Sequence, residues 1–307
     1  MGLQAKVSIE DTGPRIASRR ISDEDLPELA AFLGDGLHYP PAYYRTVLAR
    51  LKAHATPEGF PKYGYVLTDG ATIVGALLQI YSTVPGADGP VVRCHMASWC
   101  VKEEYRAFAG LFYRRALSAK DVTFLNTSAR PVAIPSIMAQ GFQSYSNGQF
   151  VSVPVLHAIG AGGARGVRVV DAKRELQVPF DRAERQVLAD HAGYGCICVW
   201  CVTAERAYPF VFHKRAFKGV LPGAQLVYCA SLASFARFAG PLGLFLAKQG
   251  VYIVRMDAEG PVRGLAGRYF DKMERRYFKG VRPRLGDLAY TQAVLTKSLR
   301  RGAPLSG

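Results

Sequence analysis

The chain reads as an α/β protein of two similar halves, each a mixed, partly parallel sheet flanked by helices. Three observations predict this. Over the first ~150 positions the apolar periodicities run β-α-α-β-β-β-α-β-α-β, and a helical stretch between two apolar strands marks a parallel crossover. Residues 159–166, IGAGGARG, are small, lack hydrophobic periodicity and separate this half from a second one with the same grammar. The triplet Phe-Ala-Gly recurs at 108–110 and 238–240, each time on the helix after the third long strand, a repeat of about 130 residues. The expected division is therefore 1–158, a linker at 159–166, and 167–307.

Residues 15–21 read as a short strand leading into a helix capped at Ser22, with Asp23, Glu24 and Asp25 in the first turn, where the helix dipole favours carboxylates. Leu26, Leu29, Ala30 and Leu33 follow at helical spacing, with Gly34 as the stop. A second helix over 41–54 carries Tyr44, Val47, Leu48 and Leu51 on one side. Strands at 64–68 and 72–81 flank Asp69-Gly70, a hairpin turn. After a Gly/Pro turn at 85–90 come a long strand at 91–101, a helix at 103–118 and a strand at 122–126. A short helix at 135–140, ending at Gly141, and a strand at 149–153 close the half. In the second half, strands are predicted at 167–170, 196–203, 207–213, 225–230 and 251–256. Helices are predicted at 182–191, at 232–249 with an interruption at Gly240-Pro241, and at 265–278, before residues 288–295 close the fold.

The 307 residues carry 39 Lys and Arg against 24 Asp and Glu, a formal charge of +15. With 49% apolar and 21% charged residues, the composition excludes wholesale disorder. The strongest apolar stretch, 238–247, lies between Arg237 and Lys248, well short of the ~20 residues a spanning helix needs. No basic-then-apolar leader opens the sequence, so a soluble, cytoplasmic protein is expected. Residues 1–153 hold 15 basic and 13 acidic residues, net +2; residues 154–307 hold 24 and 11, net +13. A basic second half suits an anionic partner: a small-molecule or carrier-bound acceptor, or an anionic membrane touched peripherally. Solubility alone also favours a net charge. The run at 263–284 concentrates the excess: Arg263, Arg268, Lys272, Arg275, Arg276, Lys279, Arg282 and Arg284 oppose Asp271 and Glu274. No recognised nucleic-acid motif accompanies it, so nucleic acid ranks last among its partners.

Cys196, Cys198 and Cys201 (CICVWC) invite a metal reading, but no second Cys pair or nearby His pair completes a four-ligand set. They read as buried small hydrophobes, and no metal is expected.

The stretch 98–117, SWCVKEEYRAFAGLFYRRAL, carries the chemistry. A strand ends at Val101, a short turn holds Tyr105 and Arg106, and a helix starts over the small residues Ala107, Ala109 and Gly110. Small residues there leave first-turn N–H groups open, and a helix N-terminus favours an anion such as a pyrophosphate. This stretch resembles the pyrophosphate-binding motif of the GNAT superfamily of acyl-CoA-dependent acyltransferases, (Gln/Arg)-x-x-Gly-x-(Gly/Ala), with Arg106 at its first position. Residues 137–142, IMAQGF, are similar to that superfamily's helix-end signature, and the element order of residues 15–153 also matches. The second half would be a diverged copy, as in tandem members.

The resemblance implies transfer of an acyl group from acyl-CoA to an amine or hydroxyl. Arg106 with the amides of Ala107, Phe108, Ala109, Gly110 and Leu111 would hold the pyrophosphate beside Tyr105. Trp99, Cys100 and Val101 would pair with the pantetheine arm. Two departures stand out. Ala109 and Leu111 replace the motif glycines, and Ile137 stands where many members have a Tyr that protonates the departing thiolate. The second copy lacks the Tyr-Arg pair and carries Pro241, so weak or absent CoA binding is expected there. Direct attack on a thioester needs a base for the acceptor's proton and donors for the carbonyl oxygen. His95 is the candidate base by residue type, and Asn126, ending the next strand, is the candidate polar contact. Cys100 is a weaker candidate nucleophile. The missing Tyr also leaves open a binding protein that kept the fold without the chemistry, and the basic second half a tRNA- or lipid-dependent transferase.

Overall fold

Residues 16–86, 89–158, 166–217 and 221–295 are described in the computed structural model. The first half runs β1 (Ile16–Arg20), α1 (Leu26–Leu37), α2 (Pro41–Ala53), β2 (Gly64–Asp69), β3 (Thr72–Gly86), β4 (Gly89–Val101), α3 (Ala109–Ala116), β5 (Val122–Asn126), α4 (Ile134–Ala139) and β6 (Gln143–Ser152). The second runs β7 (Arg168–Asp171), α5 (Arg182–Gly193), β8 (Ile197–Val202), β9 (Ala207–Phe217), β10 (Leu221–Cys229), α6 (Leu232–Arg237), α7 (Ala239–Lys248), β11 (Ile253–Ala258), β12 (Gly267–Lys279) and α8 (Gln292–Leu295). Residues 159–165 of the expected linker lie outside the described residues. Ala109 and Ala239, the middle residues of the two Phe-Ala-Gly triplets, each open a helix, α3 and α7. Among the described residues no helix is long and apolar enough to cross a membrane.

The strands form one sheet in the order β1-β2-β3-β4-β5-β12-β6-β11-β10-β9-β8-β7. Each half lays five strands down in the same way, antiparallel except for the parallel pairs β4·β5 and β10·β11. The sixth strands are exchanged. β12 pairs with β5 of the first half, β6 pairs with β11 of the second, and the two run antiparallel to each other at the centre.

β12 corrects the helix expected at 265–278. Leu265, Tyr269, Met273 and Tyr277 recur at fours, and a spacing of four also returns to the same side of a strand, whose period is two. The four-residue stripe therefore fits both structures, and flanking Gly267 and Gly280 with four aromatics tips it to a strand. Four of the eight basic residues in this run are bound internally. Arg276 is fully buried, Arg284 donates to the carbonyls of Cys229 and Ala230, Arg282 pairs with Glu259 at 2.7 Å, and Lys279 donates to the carbonyl of Gln140 at 2.8 Å. Smaller shifts occur elsewhere. α1 passes Gly34 and ends at His38 in the left-handed region, and the break expected at Gly240-Pro241 falls at Phe238, because Pro241 sits in the first turn of α7, where it is tolerated.

One apolar core belongs to both halves: Leu29 and Leu33 of α1, Val47 and Leu48 of α2, Val187 and Leu188 of α5 and Val294 of α8 share it. On the opposite face α3 and α4 pack on one core, and α6 and α7 on another. Charged groups stitch the centre. Arg276 Nε donates to both Asp257 oxygens at 3.1 and 3.2 Å, its Nη1 to the carbonyl of Thr127 and its Nη2 to Glu274 at 3.2 Å. Arg93 of β4 meets Asp287 at 2.9 Å, and Arg284 approaches the same carboxylate at 3.7 Å.

Because each half's sheet contains the other's strand, the halves should unfold together. Trp99 and Trp200 report one half each. Single-tryptophan variants, Trp99→Phe and Trp200→Phe, should show coincident urea midpoints by fluorescence, whereas separate transitions would contradict the coupling. Asp257→Ala, which strands the buried Arg276 charge, should lower stability by about 3–5 kcal/mol in the same experiment.

Candidate active site

β4 and β5 pair only from Val92 to His95 against Val122 to Leu125. Past that point β4 runs on to Val101 while β5 ends at Asn126, and the strands part into a wedge. There β4 carries one extra residue, since Leu78 faces Ala97 but Ala76 faces Cys100. This is a bulge at Ser98, whose φ is 52°. Tyr44 of α2 donates its hydroxyl to Ser98 Oγ at 3.2 Å. The bulge shifts the strand's alternation by one. Cys94 and Met96 face the α3 side, then Trp99 and Val101 do, while Cys100 turns toward α1. Among the described residues no segment pairs with the outer edge of residues 99–101, so the backbone donors and acceptors on that side have no strand partner.

The structure brings Trp99, Cys100 and Val101 to one lip of the wedge and Asn126 to the other. The Trp99 ring packs on Tyr113 of α3 with centroids 4.6 Å apart. Asn126 stands opposite Tyr277 of β12, and its Oδ1 accepts the Ser128 N–H at 3.3 Å.

The pyrophosphate turn differs from expectation. A 3-10 helix at Glu103–Phe108 feeds α3 without a break, and the Ala109 amide donates to the Arg106 carbonyl. The amides expected to lie open therefore sit partway along a helical run whose start holds Glu103 and Glu104, which disfavour an anion. Arg106 pairs with Glu103 at 3.1 Å, with 68% and 82% of the two side chains exposed, and such a pair is readily exchanged for a ligand. Tyr105 donates to Asp69 Oδ2 at 2.8 Å and pins the turn to β2. Ala107, Phe108 and Leu111 face solvent, and the space where a Cβ on Gly110 would point is empty.

His95 requires a correction. It sits where the strands begin to part, sealed by Ile80, Ser82, Leu125 and Tyr290, with 2% exposure and both ring nitrogens unpartnered among the described residues. Burial, reinforced by the Arg276 charge, pushes it down to about 3. A neutral, enclosed imidazole of that kind is not a base for an acceptor in the wedge. Cys100 is half-buried and its thiol is raised by burial, against which Arg130 and Arg106 pull weakly. Ile137 is wholly inside the α3-side core. Cys198 and Cys201 are buried, and among the described residues no cluster of three or more metal-ligating side chains forms.

Ser98 shapes the lip of the wedge, with the buried Tyr44 and Tyr113 packed behind it, and none of the three was singled out from the sequence as a site residue. A signal for the bulge was present: apolar positions move from even numbers, 94 and 96, to odd, 99 and 101.

The second half repeats the arrangement and closes it. β10 also bulges, with Leu226 facing Phe212 and Tyr228 facing Val211. Its free edge is taken by the chain itself. Cys229 N–H donates to Gly286 at 2.9 Å and Leu288 N–H to Val227 at 2.7 Å, with Tyr228 bridged to Asp287. A Cβ on Gly240, the counterpart of Gly110, would lie 2.7 Å from the carbonyl oxygen of His157, and one on Gly243 would meet Pro154 at 2.4 Å. The 3-10 turn Pro154–Ala158 thus covers the start of α7.

No family model and no curated protein matches the sequence. Solved structures do match in fold. A GCN5-related N-acetyltransferase from Anabaena variabilis is 11% identical with a TM-score of 0.55, over 86% of this chain and 72% of that one. One from Kribbella flavida is 14% identical with a TM-score of 0.52, over 86% and 71%. A protein from Pyrococcus horikoshii, provisionally described as an acetyltransferase, is 14% identical with a TM-score of 0.51, over 94% and 96%. The chain has the GNAT fold.

Burial lowers His54, His95 (to about 3), His191 (to about 4) and His213 (to about 4). In the unfolded chain these groups titrate near 6.5. Between about pH 6.5 and 4 the unfolded state binds protons that the folded state refuses, so stability must fall as pH drops. Urea midpoints should be flat above about pH 7.5 and decline steadily toward pH 5, and His95→Gln should shallow that decline. A midpoint unchanged between pH 7 and 5 would contradict the buried, neutral assignments.

Proposed function

We propose that this chain is an acyltransferase that takes an acyl-CoA into the wedge of its first half and passes the acyl group to an amine or hydroxyl. What carries the reading is the contrast between two copies of one design. The same bulged strand has a free edge in the first half and is paired by the chain itself in the second, and the space over Gly110 is empty where that over Gly240 is filled by His157. An unpaired strand edge is a place where an amide-bearing arm finds donors and acceptors, and the exposed Arg106 on the turn that follows is a cation for its phosphates.

Residues 99–101 would bond the pantetheine arm, and Arg106, released from Glu103, would approach the phosphates. The amides of the bulge would supply donors to the thioester oxygen as charge develops there. Attack by the acceptor breaks the thioester and releases the CoA thiolate. With His95 and Tyr113 enclosed and Ile137 apolar, the side chains at the wedge are the Ser98 hydroxyl, the Asn126 amide and the half-buried Cys100. Burial raises Tyr113 and Cys100, so neither is a base near neutrality. An amine acceptor would therefore react as its free base, and its rate would climb with pH up to the acceptor's own pKa.

A second reading, a binding protein without turnover, is favoured by the acidic start of the helical run and by Ile137. Calorimetry with acetyl-CoA and longer acyl-CoAs separates the two when followed by CoA release across amine and hydroxyl acceptors. We expect one thioester bound per chain. Gly110→Glu should keep the fold, gaining up to about 1 kcal/mol in helix propensity, while its carboxylate repels the phosphates and weakens binding by about tenfold or more. Failure of every thioester to bind would sink the acyltransferase reading, and binding without CoA release would leave only the second.

A further inference from the structure

The centre of the sheet holds a partly open cluster that the acyl wedge does not use. Between Asp271 and Arg276 the register of β12 against β6 slips, and the intervening residues bulge. Lys272 (φ 60°) and Glu274 (φ 46°) both lie in the left-handed region, which non-glycine residues seldom adopt in a strand. The bulge sets the Glu274 carboxylate among three arginines: Arg255 at 2.8 Å, Arg276 at 3.2 Å and Arg215 at 3.9 Å. Arg276 is fully buried and Arg255 nearly so, while 32% of the Arg215 side chain and 35% of the Glu274 side chain face solvent.

The arginines are held in place from behind. Arg255 donates from Nε to Gln225 Oε1 at 3.0 Å and lies over the Phe217 ring at 5.0 Å. Arg215 donates to Gln292 Oε1 at 3.3 Å. The three guanidiniums outnumber the two carboxylates they meet, Asp257 and Glu274, so the cluster keeps a positive charge once Glu274 is in place. The same groups reach the first-half wedge. Arg276 and Gln292 both donate to the carbonyl of Thr127, the residue after Asn126.

We propose that Arg215 and Arg255, backed by Arg276, recognise a carboxylate or phosphate on the acceptor, and that Glu274 is the internal anion this group displaces. A carboxylate on a strained bulge, 35% in solvent and held by Arg255 of β11 and Arg215 of β9 as well as by Arg276 of its own strand, is the group that can leave while the cations stay. Bidentate guanidinium geometry suits both anions. The word acceptor rests on the acyltransferase reading; the anion site itself does not.

The test is thermal unfolding of the whole chain titrated with inorganic phosphate and, separately, succinate, with sodium chloride at matched ionic strength as the reference. One or both anions should raise the melting temperature beyond the chloride reference, and the better of the two identifies the preferred group. Glu274→Gln removes the competing anion and should lower the half-saturating concentration by about tenfold, whereas Arg215→Gln should raise it by about as much and Arg215→Lys by less. A purely structural Glu274 would give the opposite result, a variant that binds no better than the parent. The proposal is overturned if parent and Glu274→Gln respond alike, or if neither anion exceeds chloride. Competition between phosphate and acetyl-CoA would also overturn it by assigning the site to the cofactor. A protein that binds no thioester can still pass this titration, so the two readings fail separately.

Discussion

The exchange of β6 and β12, locked by the buried pair of Arg276 and Asp257, is the constraint on which the molecule is organised. A guanidinium with no access to water must place its donors on acceptors inside the protein. Arg276 does so with groups from three places: Asp257 on β11, Glu274 on its own strand and the Thr127 carbonyl just after β5. Those acceptors meet only if β12 lies between β5 and β6 in this register. A slip of one residue would turn Arg276 to the opposite face and bring Arg275 or Tyr277 into its place. The pair thus specifies an arrangement that hydrophobic alternation alone leaves open, and Gln149, donating to Asp257 at 2.6 Å, fixes the neighbouring strand to the same point.

Closure of the second wedge follows from how the halves are joined. The segment that pairs with the free edge of β10 is anchored by Asp287, whose carboxylate is held by Arg93 of the first half and Arg284 of the second. The residues after it continue the tie, with Tyr290 donating its amide to His191 and its hydroxyl to Asp190. What fills the second wedge is therefore part of the joint between halves. A ligand arm there would have to displace a strand bridge, a buried ion pair and part of the shared core together. The first wedge has no such obligation, which is a physical reason for one copy to stay open while the other becomes support.

Much of this was legible in the sequence. The parallel crossovers, the duplication marked by Phe-Ala-Gly and the wedge-lining strand at 99–101 follow from periodicity and spacing, because each is a local pattern. The losses have particular causes. The period of four in residues 265–278 suits either regular structure, so the strand was hidden, and with it the exchange. His95 looked available because residue type reports the chemistry of an imidazole and not its enclosure; Leu125 and Tyr290, which seal it, are distant in sequence. The turn at 103–108 looked open because small residues permit an anion site without requiring one, and here the preceding 3-10 turn occupies the Ala109 amide.

The charge count shows how a sequence boundary can mislead. Dividing the chain near its middle assigns +2 to one half and +13 to the other, as though each half carried its charge to its own surface. The exchanged strand breaks that assumption. Arg93, counted with the first half, is neutralised by Asp287 of the second, and Arg276 and Arg284 are spent on carboxylates and carbonyls inside the protein. Arg282 and Lys279 are tied to Glu259 and to the end of α4. Among the basic residues of 263–284, the field left for a partner comes chiefly from Arg263, Arg268, Lys272 and Arg275, three of them on the central strand and not at the far end of a separate domain. Arg275 of that strand lies two positions before Tyr277, which pairs with Asn126 at the lip of the open wedge. Charge and wedge, which looked like separate features of separate domains along the chain, are neighbours in the fold.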